Sequence, residues 1–135
     1  MKSKISTLDI NTTARMQLLD ITSRVENIVA ASGVGEGTVR LFTLHTTAGL
    51  TINENADPDV ARDILMELDK VVPLKDGYRH AEGNSAAHIK SSLVGVSLAV
   101  FINGGRLVLG TWQGLYFCEF DGPRQRKVLV KVTKD

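Results

Sequence analysis

The chain has 135 residues, in which 16 Lys and Arg residues nearly balance 15 Asp and Glu residues, for a formal net charge of +1. This length predicts a single domain, residues 1–135, with one hydrophobic core, and it excludes two independent cores. The balanced charge, without a long block of one sign, argues against nucleic acid or an anionic membrane as the partner and favours a small molecule.

The N-terminal region is predicted to form two strands and a helix. Residues 4–11 and 15–21 alternate apolar with polar side chains, which predicts an antiparallel pair. Ser23 and Glu26, three positions apart, form a capping box at the start of a helix that ends at Gly33.

The cellular setting is predicted from what this sequence does not contain. It shows no signal-peptide core, and no apolar run approaches the roughly 18 residues of a membrane span. Cys118 is the only cysteine, which excludes an internal disulfide framework and a CxxC-type zinc site. We therefore expect a soluble, cytoplasmic protein that makes no membrane contact.

The middle of the chain predicts a strand followed by a second helix. Residues 38–44 are apolar and β-branched, typical of a strand that ends at His45, and residues 50–54 are expected to continue this strand or to pair with it. Asp57 followed by Pro58 is typical of a helix start, because the carboxylate caps free amides and Pro fits the first turn. The buried face of this helix is predicted to consist of Val60, Ile64, Leu65 and Leu68.

The last third of the chain predicts a loop, a short helix and four strands. Residues 73–84 form the loop and carry His80, after which Asn84 or Ser85 caps a helix that runs to Leu93. Strands are predicted at 96–102, 106–110, 115–120 and 127–132. This order predicts an α+β fold, with largely antiparallel β-sheets and about three short helices in one compact domain.

The three histidines all lie among small polar residues, which indicates a site rather than a packed core. His45 stands in HTTAG, His80 in YRHAEGN and His88 in NSAAHIKSS. Three imidazoles can bind zinc or another divalent metal and leave a coordination position open, although no HxxxH-type spacing is present. The same residues also fit acid–base catalysis or anion binding, or they are three independent hydrogen-bonded histidines.

The predicted helix after the second histidine offers a further candidate. If Asn84 is the cap, His88 falls in the first turn, where the positive end of the helix disfavours an imidazolium. The backbone amides of GNSAAH can cradle an anion or a phosphate; the alternative is an ordinary capped helix.

Two polar pairs outside the histidine motifs are candidate ligand contacts. Glu54 and Asn55 follow the HTTAG segment and can serve as a base or complete a metal shell, or they are a solvated strand end. Trp112 and Gln113, in GTWQG, can stack on a planar heterocycle and hydrogen-bond to it, unless the indole simply packs.

The EFDGPR segment places charged residues around a predicted turn. Glu119 and Asp121 share one face of the strand end, and Arg124 follows the turn. Arg124 can bind phosphate or carboxylate through its guanidinium fork, or it forms a salt bridge that fixes the turn. Cys118 points to the opposite face and is predicted to be a core residue rather than a nucleophile.

Four segments in order, HTTAGLTINEN, YRHAEGNSAAHIKSSL, GRLVLGTWQG and EFDGPRQRKV, resemble the secondary thiamine-phosphate synthase, or YjbQ-type, family of small bacterial and archaeal proteins. The resemblance covers nearly the whole chain. It implies a compact α+β domain that assembles as a homotrimer. It also implies a weak transfer of hydroxymethylpyrimidine from its diphosphate to a thiazole phosphate, with release of pyrophosphate.

The resemblance also implies roles for particular residues. The implied catalytic residues are His45, Glu54, His80 and His88. The small polar surroundings of the three histidines, rather than the resemblance, make them the expected ligands of a divalent metal, zinc or magnesium. The expected partner is a small phosphorylated metabolite. The remaining motif positions are expected to bind substrate: Thr46, Thr47, Asn55, Asn84, Trp112, Gln113, Glu119 and Arg124.

The chemistry of that reaction can be compared with the residues present. A departing pyrophosphate needs positive charge, usually Mg²⁺ held by several carboxylates, and this chain has no DDxxD-like cluster. Arg124, Lys90, the amides after Asn84 and a histidine-bound ion are the available substitutes. This sparse set fits a weak activity, and the alternative is a non-catalytic protein that binds a metal or a phosphorylated metabolite.

Overall fold

The computed structural model describes residues 4–135, which form two antiparallel sheets and three helices. The five-stranded sheet has the order β1 (Ile5–Asn11), β8 (Gln125–Lys134), β3 (Glu36–Phe42), β5 (Ser97–Asn103) and β6 (Arg106–Leu107). The three-stranded sheet has the order β2 (Gln17–Asp20), β7 (Gln113–Glu119) and β4 (Ala48–Glu54). The helices are α1 (Thr22–Ser32), α2 (Pro58–Val71) and α3 (Ser85–Val94). The predicted α+β class is confirmed.

The main core lies where the inner faces of the strands meet helix α1. Alternate residues of β3 and β8, such as Val39 and Val128, are fully buried because side chains on a strand point to opposite faces in turn. Val25 and Val29 of α1, one helical turn apart, pack into the same cluster. This core holds the strand ends that carry the candidate site residues.

The predicted hairpin between residues 4–11 and 15–21 is wrong, although both strands exist. Strand β1 pairs with β8, whereas β2 pairs with β7 in the other sheet. The segment between them crosses from one sheet to the other, anchored by Thr12, whose hydroxyl donates to Glu119 Oε1 at 2.7 Å. Alternation predicts a strand but not its partner, since the pairing is decided by contacts distant in sequence.

The predicted capping box of α1 is also wrong. Ser23 lies inside the helix, and the carboxylate of Asp20 accepts hydrogen bonds from the N–H (2.9 Å) and the hydroxyl (2.5 Å) of Thr22. The helix ends at Gly33 as predicted, in the left-handed conformation that favours glycine, with φ of 71°.

Strand β4 neither continues nor pairs with the strand before His45. Its partner is β7, and its start lies against the end of α3, where the N–H of Leu50 donates to the Gly95 carbonyl at 3.0 Å. A Cβ atom at Gly49 would lie 2.7 Å from the same oxygen, so the HTTAG glycine allows strand and helix to approach closely.

Helix α2 starts as predicted but is less buried than predicted. The Asp57 carboxylate accepts from the N–H of Asp59 at 2.9 Å. No residue of α2 is fully buried, and the predicted core face is only half-buried. The helix is held in part by its Asp69, which accepts from the fully buried Lys90 of α3 at 2.7 Å.

The remaining predictions of secondary structure agree with the described chain apart from short shifts in element bounds. The helix after Asn84 and the four C-terminal strands are all present. Cys118 lies in the core as predicted, and burial raises the pKa of its thiol to about 12. Within residues 4–135 no helix is long and apolar enough to cross a membrane.

Candidate functional site

The three histidines come from two connections and one helix, α3. His45 lies between β3 and β4, His80 lies in the loop after α2, and His88 occupies the first turns of α3. The rings of His80 and His88 meet edge to face, with centroids 5.5 Å apart. His45 and His88 line a shallow depression of about 360 Å³ together with Asn84 and other polar residues.

The predicted three-histidine ligand set is not assembled within one chain. Among residues 4–135 no group of three or more His, Cys, Asp or Glu side chains is placed to hold a metal ion. His88 lies between the other two, facing His80 on one side and sharing a depression with His45 on the other. The metal role of these residues stays a prediction.

The hydrogen bonding of His45 limits what its ring can do. The backbone N–H of Lys127 donates to His45 Nε2 at 3.0 Å, so this nitrogen acts as an acceptor and the proton of the neutral ring lies on Nδ1. Burial, reinforced by the charge of Arg126, lowers the pKa of His45. In this position the ring offers a hydrogen-bond donor, which suits a ligand oxygen and does not suit a metal ion.

We expect His45 to titrate below the ordinary histidine value and to be the Nδ1–H tautomer when neutral. Because protonation at Nε2 breaks the bond from Lys127, folding favours the neutral ring. The free energy of unfolding should therefore fall as the pH drops below about 6.5, the unfolded-state value. A ¹⁵N-detected titration of the ring nitrogens measures this; a neutral ring protonated on Nε2 would contradict the assigned hydrogen bond.

No side chain caps the start of α3, so this is not the ordinary capped helix that was one of the two predicted alternatives. Asn84 occupies the cap position, but its side chain makes no cap hydrogen bond and its Nδ2 donates to Asp121 Oδ2 at 2.9 Å. The N–H groups of Ser85 and Ala86 thus have no acceptor within the described chain. Unpaired amides at the positive end of a helix are suited to bind an anion.

Arg124 forms the salt bridge that was one of its two predicted roles. Its Nε donates to the Asp121 carbonyl at 2.8 Å, and its Nη2 lies 3.0 Å from Asp121 Oδ2. The side chain is still 54% exposed and lines the depression that His45 and His88 share. The guanidinium therefore fixes the turn and leaves part of its charge facing the depression.

Glu119 is a structural residue, which contradicts its predicted contact with substrate. The side chain is fully buried, and its two oxygens accept from Thr12, from Arg126 and from the N–H of Asp121. Burial alone would raise the pKa of this carboxyl, but the hydrogen bonds from Arg126, Asp121 and Thr12 hold it below its usual value. No face of the carboxylate is left for a ligand.

Arg126 is the residue that sequence reasoning missed. It is buried, and besides Glu119 it contacts the hydroxyl of Thr47 through Nη2 at 2.8 Å. Thr47 is therefore a partner inside this network, and both Thr47 and the exposed Thr46 line the depression. The available signal was the alternation of β8, which places Arg126 on the same face as the core residues Val128 and Val130.

The other predicted site residues lie at the far end of the three-stranded sheet. In the pairing of β4 with β7, Ala48 faces Glu119 while Glu54 faces Gln113. Six residue steps along a strand span about 20 Å. The predicted site is thus divided: within one chain, four residues are distant from the histidines, namely Glu54, Asn55, Trp112 and Gln113.

Comparison with known proteins identifies the family. The sequence model of the UPF0047 protein YjbQ-like family matches residues 6–135. The chain belongs to this family. UPF0047 protein YugU of Bacillus subtilis is 53% identical to it over 129 residues, covering 95% of this chain and 98% of YugU. A UPF0047 protein of Archaeoglobus fulgidus is 43% identical over 127 residues, covering 93% and 98% of the two chains.

Solved structures of UPF0047 relatives have the same fold. A YjbQ/UPF0047 protein of Clostridium acetobutylicum is 56% identical, with a TM-score of 0.93 over 95% of this chain and 99% of that one. A YbjQ-like protein of unknown function from Sulfolobus solfataricus has a TM-score of 0.95 at 30% identity, over 99% of both chains. These findings confirm the YjbQ part of the resemblance. They name no activity, so the thiamine-phosphate synthase reaction is a proposal.

Proposed function

We propose that this UPF0047 protein binds a small phosphorylated metabolite in the depression between His45 and His88. The observation that carries the proposal is the uncapped start of α3. Asn84 and His88 line the depression, and the N–H groups of Ser85 and Ala86, which lie between them in the chain, have no acceptor among the described residues. Such amides, at the positive end of a helix, bind phosphate oxygens.

The surrounding donors support an anionic ligand. His45 offers a neutral Nδ1–H, and Arg124 lines the same depression with a partly exposed guanidinium. His88, at the same helix end and 5.5 Å from the ring of His80, can exchange a proton with a bound group. These donors share the depression with the carboxylates of Glu82 and Asp121, of which Asp121 is already paired with Arg124.

The catalytic form of the proposal is a weak thiamine-phosphate synthase-like transfer. In this reaction the bond between the pyrimidine methylene carbon and the diphosphate oxygen breaks, the oxygen leaves with the electron pair, and the thiazole nitrogen bonds to the carbon. The helix amides and Arg124 would stabilise the charge on the departing pyrophosphate. His88, acting with His80, would supply its proton.

The alternative is a binding protein without catalysis, and one observation favours it. A dedicated pyrophosphate-releasing enzyme usually holds Mg²⁺ through several carboxylates, and residues 4–135 contain no three-member group placed to do so. A kcat/KM for thiamine-phosphate formation near or above about 10⁴ M⁻¹s⁻¹, the low end for ordinary enzymes, would decide against this alternative.

Two further expectations belong to the proposal. A divalent metal, zinc or magnesium, is still proposed; the neighbouring His80 and His88 would be its nearest pair of ligands, in place of their role in proton transfer. The homotrimer is supported by large apolar side chains exposed near His45 and α3, since such side chains indicate protein contacts. They are Phe42, Leu44 and Leu93.

We expect pyrophosphate to bind the EDTA-treated protein and His88→Ala to weaken this binding about tenfold, the effect of losing one charge-assisted hydrogen bond. Ser92→Ala, on the same helix with its hydroxyl bonded to the His88 carbonyl at 3.0 Å, is the matched control and should bind as wild type. Isothermal titration measures both. Binding that requires added metal would favour the metal site instead, and equal affinity of His88→Ala and wild type would contradict the proposal.

A further inference from the structure

A second cavity lies at the end of the three-stranded sheet that is distant from the histidines. It has a volume of about 530 Å³ and lies between α1 and the β5–β6 hairpin, within the usual size range of small-molecule sites. Asn55 and Gln113 line it, two residues that were predicted to contact a ligand. No histidine lines this cavity.

The side chain of Asn55 is held in one orientation. Its Nδ2 donates to Asp20 Oδ2 at 3.0 Å, and its backbone N–H donates to the Trp112 carbonyl at 3.0 Å. It packs so closely on Gly114 that a Cβ atom there would lie 2.3 Å from Nδ2. Because the amide nitrogen is used, the Oδ1 atom is left as an acceptor with no partner in the described chain.

The side-chain amide of Gln113 is held by its oxygen, whereas that of Asn55 is held by its nitrogen. Its Oε1 accepts from the N–H of Gly110 at 2.8 Å, which leaves Nε2 as a donor with no partner in the described chain. Asn55 and Gln113, which both line the cavity, thus leave one acceptor and one donor free for a ligand. An amide edge, with its own donor and acceptor side by side, satisfies both.

The remaining walls are mixed: Glu26 and two further polar residues of α1 line the cavity, beside apolar side chains that suit the face of a flat ring. Val29, Leu107 and Leu109 supply apolar surface on α1 and beside the hairpin. Arg106 also lines the cavity, and within residues 4–135 its guanidinium has neither an ion pair nor a hydrogen bond. A free guanidinium stacks well on planar heteroaromatic rings.

We infer that this cavity is a binding site for a small planar heteroaromatic molecule that carries a carboxamide or lactam edge. The amide edge of the ligand donates to Asn55 Oδ1 and accepts from Gln113 Nε2. The ring lies against the leucines and Arg106. This site is separate from the proposed phosphate site, so either can fail without the other.

Nicotinamide is a suitable probe, with 3-acetylpyridine as its matched control because a methyl group replaces the amide NH₂. We expect nicotinamide to shift the side-chain amide signals of Asn55 and Gln113 in ¹H–¹⁵N spectra in a saturable way. 3-Acetylpyridine should bind at least about tenfold more weakly, since it leaves the acceptor of Asn55 unpaired. Pyrophosphate should leave these shifts unchanged.

The decisive variant is Gln113→Glu, which keeps the oxygen that accepts from Gly110 and replaces the donor NH₂ by an acceptor. We expect nicotinamide affinity to fall at least about tenfold while the melting temperature stays near that of wild type. Asn53→Asp introduces the same charge on an exposed β4 residue outside the cavity and should bind as wild type. The proposal is overturned if nicotinamide produces no saturable shift, if 3-acetylpyridine binds equally well, or if Gln113→Glu binds as wild type.

Discussion

Replacing Arg126 by Met should destabilise the protein by about 3–5 kcal/mol, the cost of breaking a buried ion pair from one side. The substitution leaves the Glu119 carboxylate inside the core at full burial, with only Thr12 and the N–H of Asp121 as partners. It also removes the hydrogen bond to Thr47. Urea denaturation at pH 7 measures the loss.

Two comparisons isolate the cause of this effect. Arg124→Met removes an ion pair that is 54% exposed on the arginine side, and it should cost no more than about 1 kcal/mol. The double variant Glu119→Leu/Arg126→Met removes both buried charges and should recover much of the stability. A double variant less stable than Arg126→Met alone would show that the ion pair contributes a large net stabilisation.

The second large effect on stability is expected at the ion pair between α2 and α3. The loss of stability should depend on which of the two partners is replaced. Lys90 is completely buried, whereas the side chain of its partner Asp69 is 38% exposed. Asp69→Ala leaves an ammonium group in the core and should cost about 3 kcal/mol. Lys90→Met leaves only a part-exposed carboxylate, which water and Arg15 can still satisfy, and should change stability by no more than about 1 kcal/mol.

The ion pair between Lys90 and Asp69 also predicts how the stability of the protein changes with pH. The hydrogen bond from Lys90 holds the pKa of Asp69 below its usual value. The ion pair therefore stabilises the folded protein above the unfolded-state pKa of Asp69, and this stabilisation is lost as the pH falls through the folded-state pKa. Denaturation of both variants at pH 7 and in acid tests this. Equal destabilisation by Asp69→Ala and Lys90→Met at pH 7 would contradict the assigned difference in burial.

Local sequence patterns predicted most elements of this fold but not their partners. The alternation in residues 4–11, the Asp57–Pro58 start and the glycine after α1 are local signals, and each matches the structure. The pairing of β1 with β8 depends on contacts more than a hundred residues apart. Sequence periodicity carries no information about those contacts.

The candidate site was predicted in composition but not in arrangement. Small polar neighbours indicated His45 and His88, which do share a depression. The family resemblance implied that Glu119 contacts substrate, but its carboxylate is buried, and the facing Arg126 is the charged partner that makes this burial tolerable. The separation of Asn55 and Gln113 from the histidines follows from the direction of β4, which local motifs do not reveal.

The position of β8 between β1 and β3 has a consequence for how the chain is made. The N-terminal strand has no sheet partner until residues 125–134 have been synthesised, since β8 alone pairs with it. On the ribosome, β1 therefore remains without its sheet partner while residues 12–124 emerge. The five-stranded sheet can close only after residues 125–134 have emerged, and until then the edge of β1 is open to pairing with other strands.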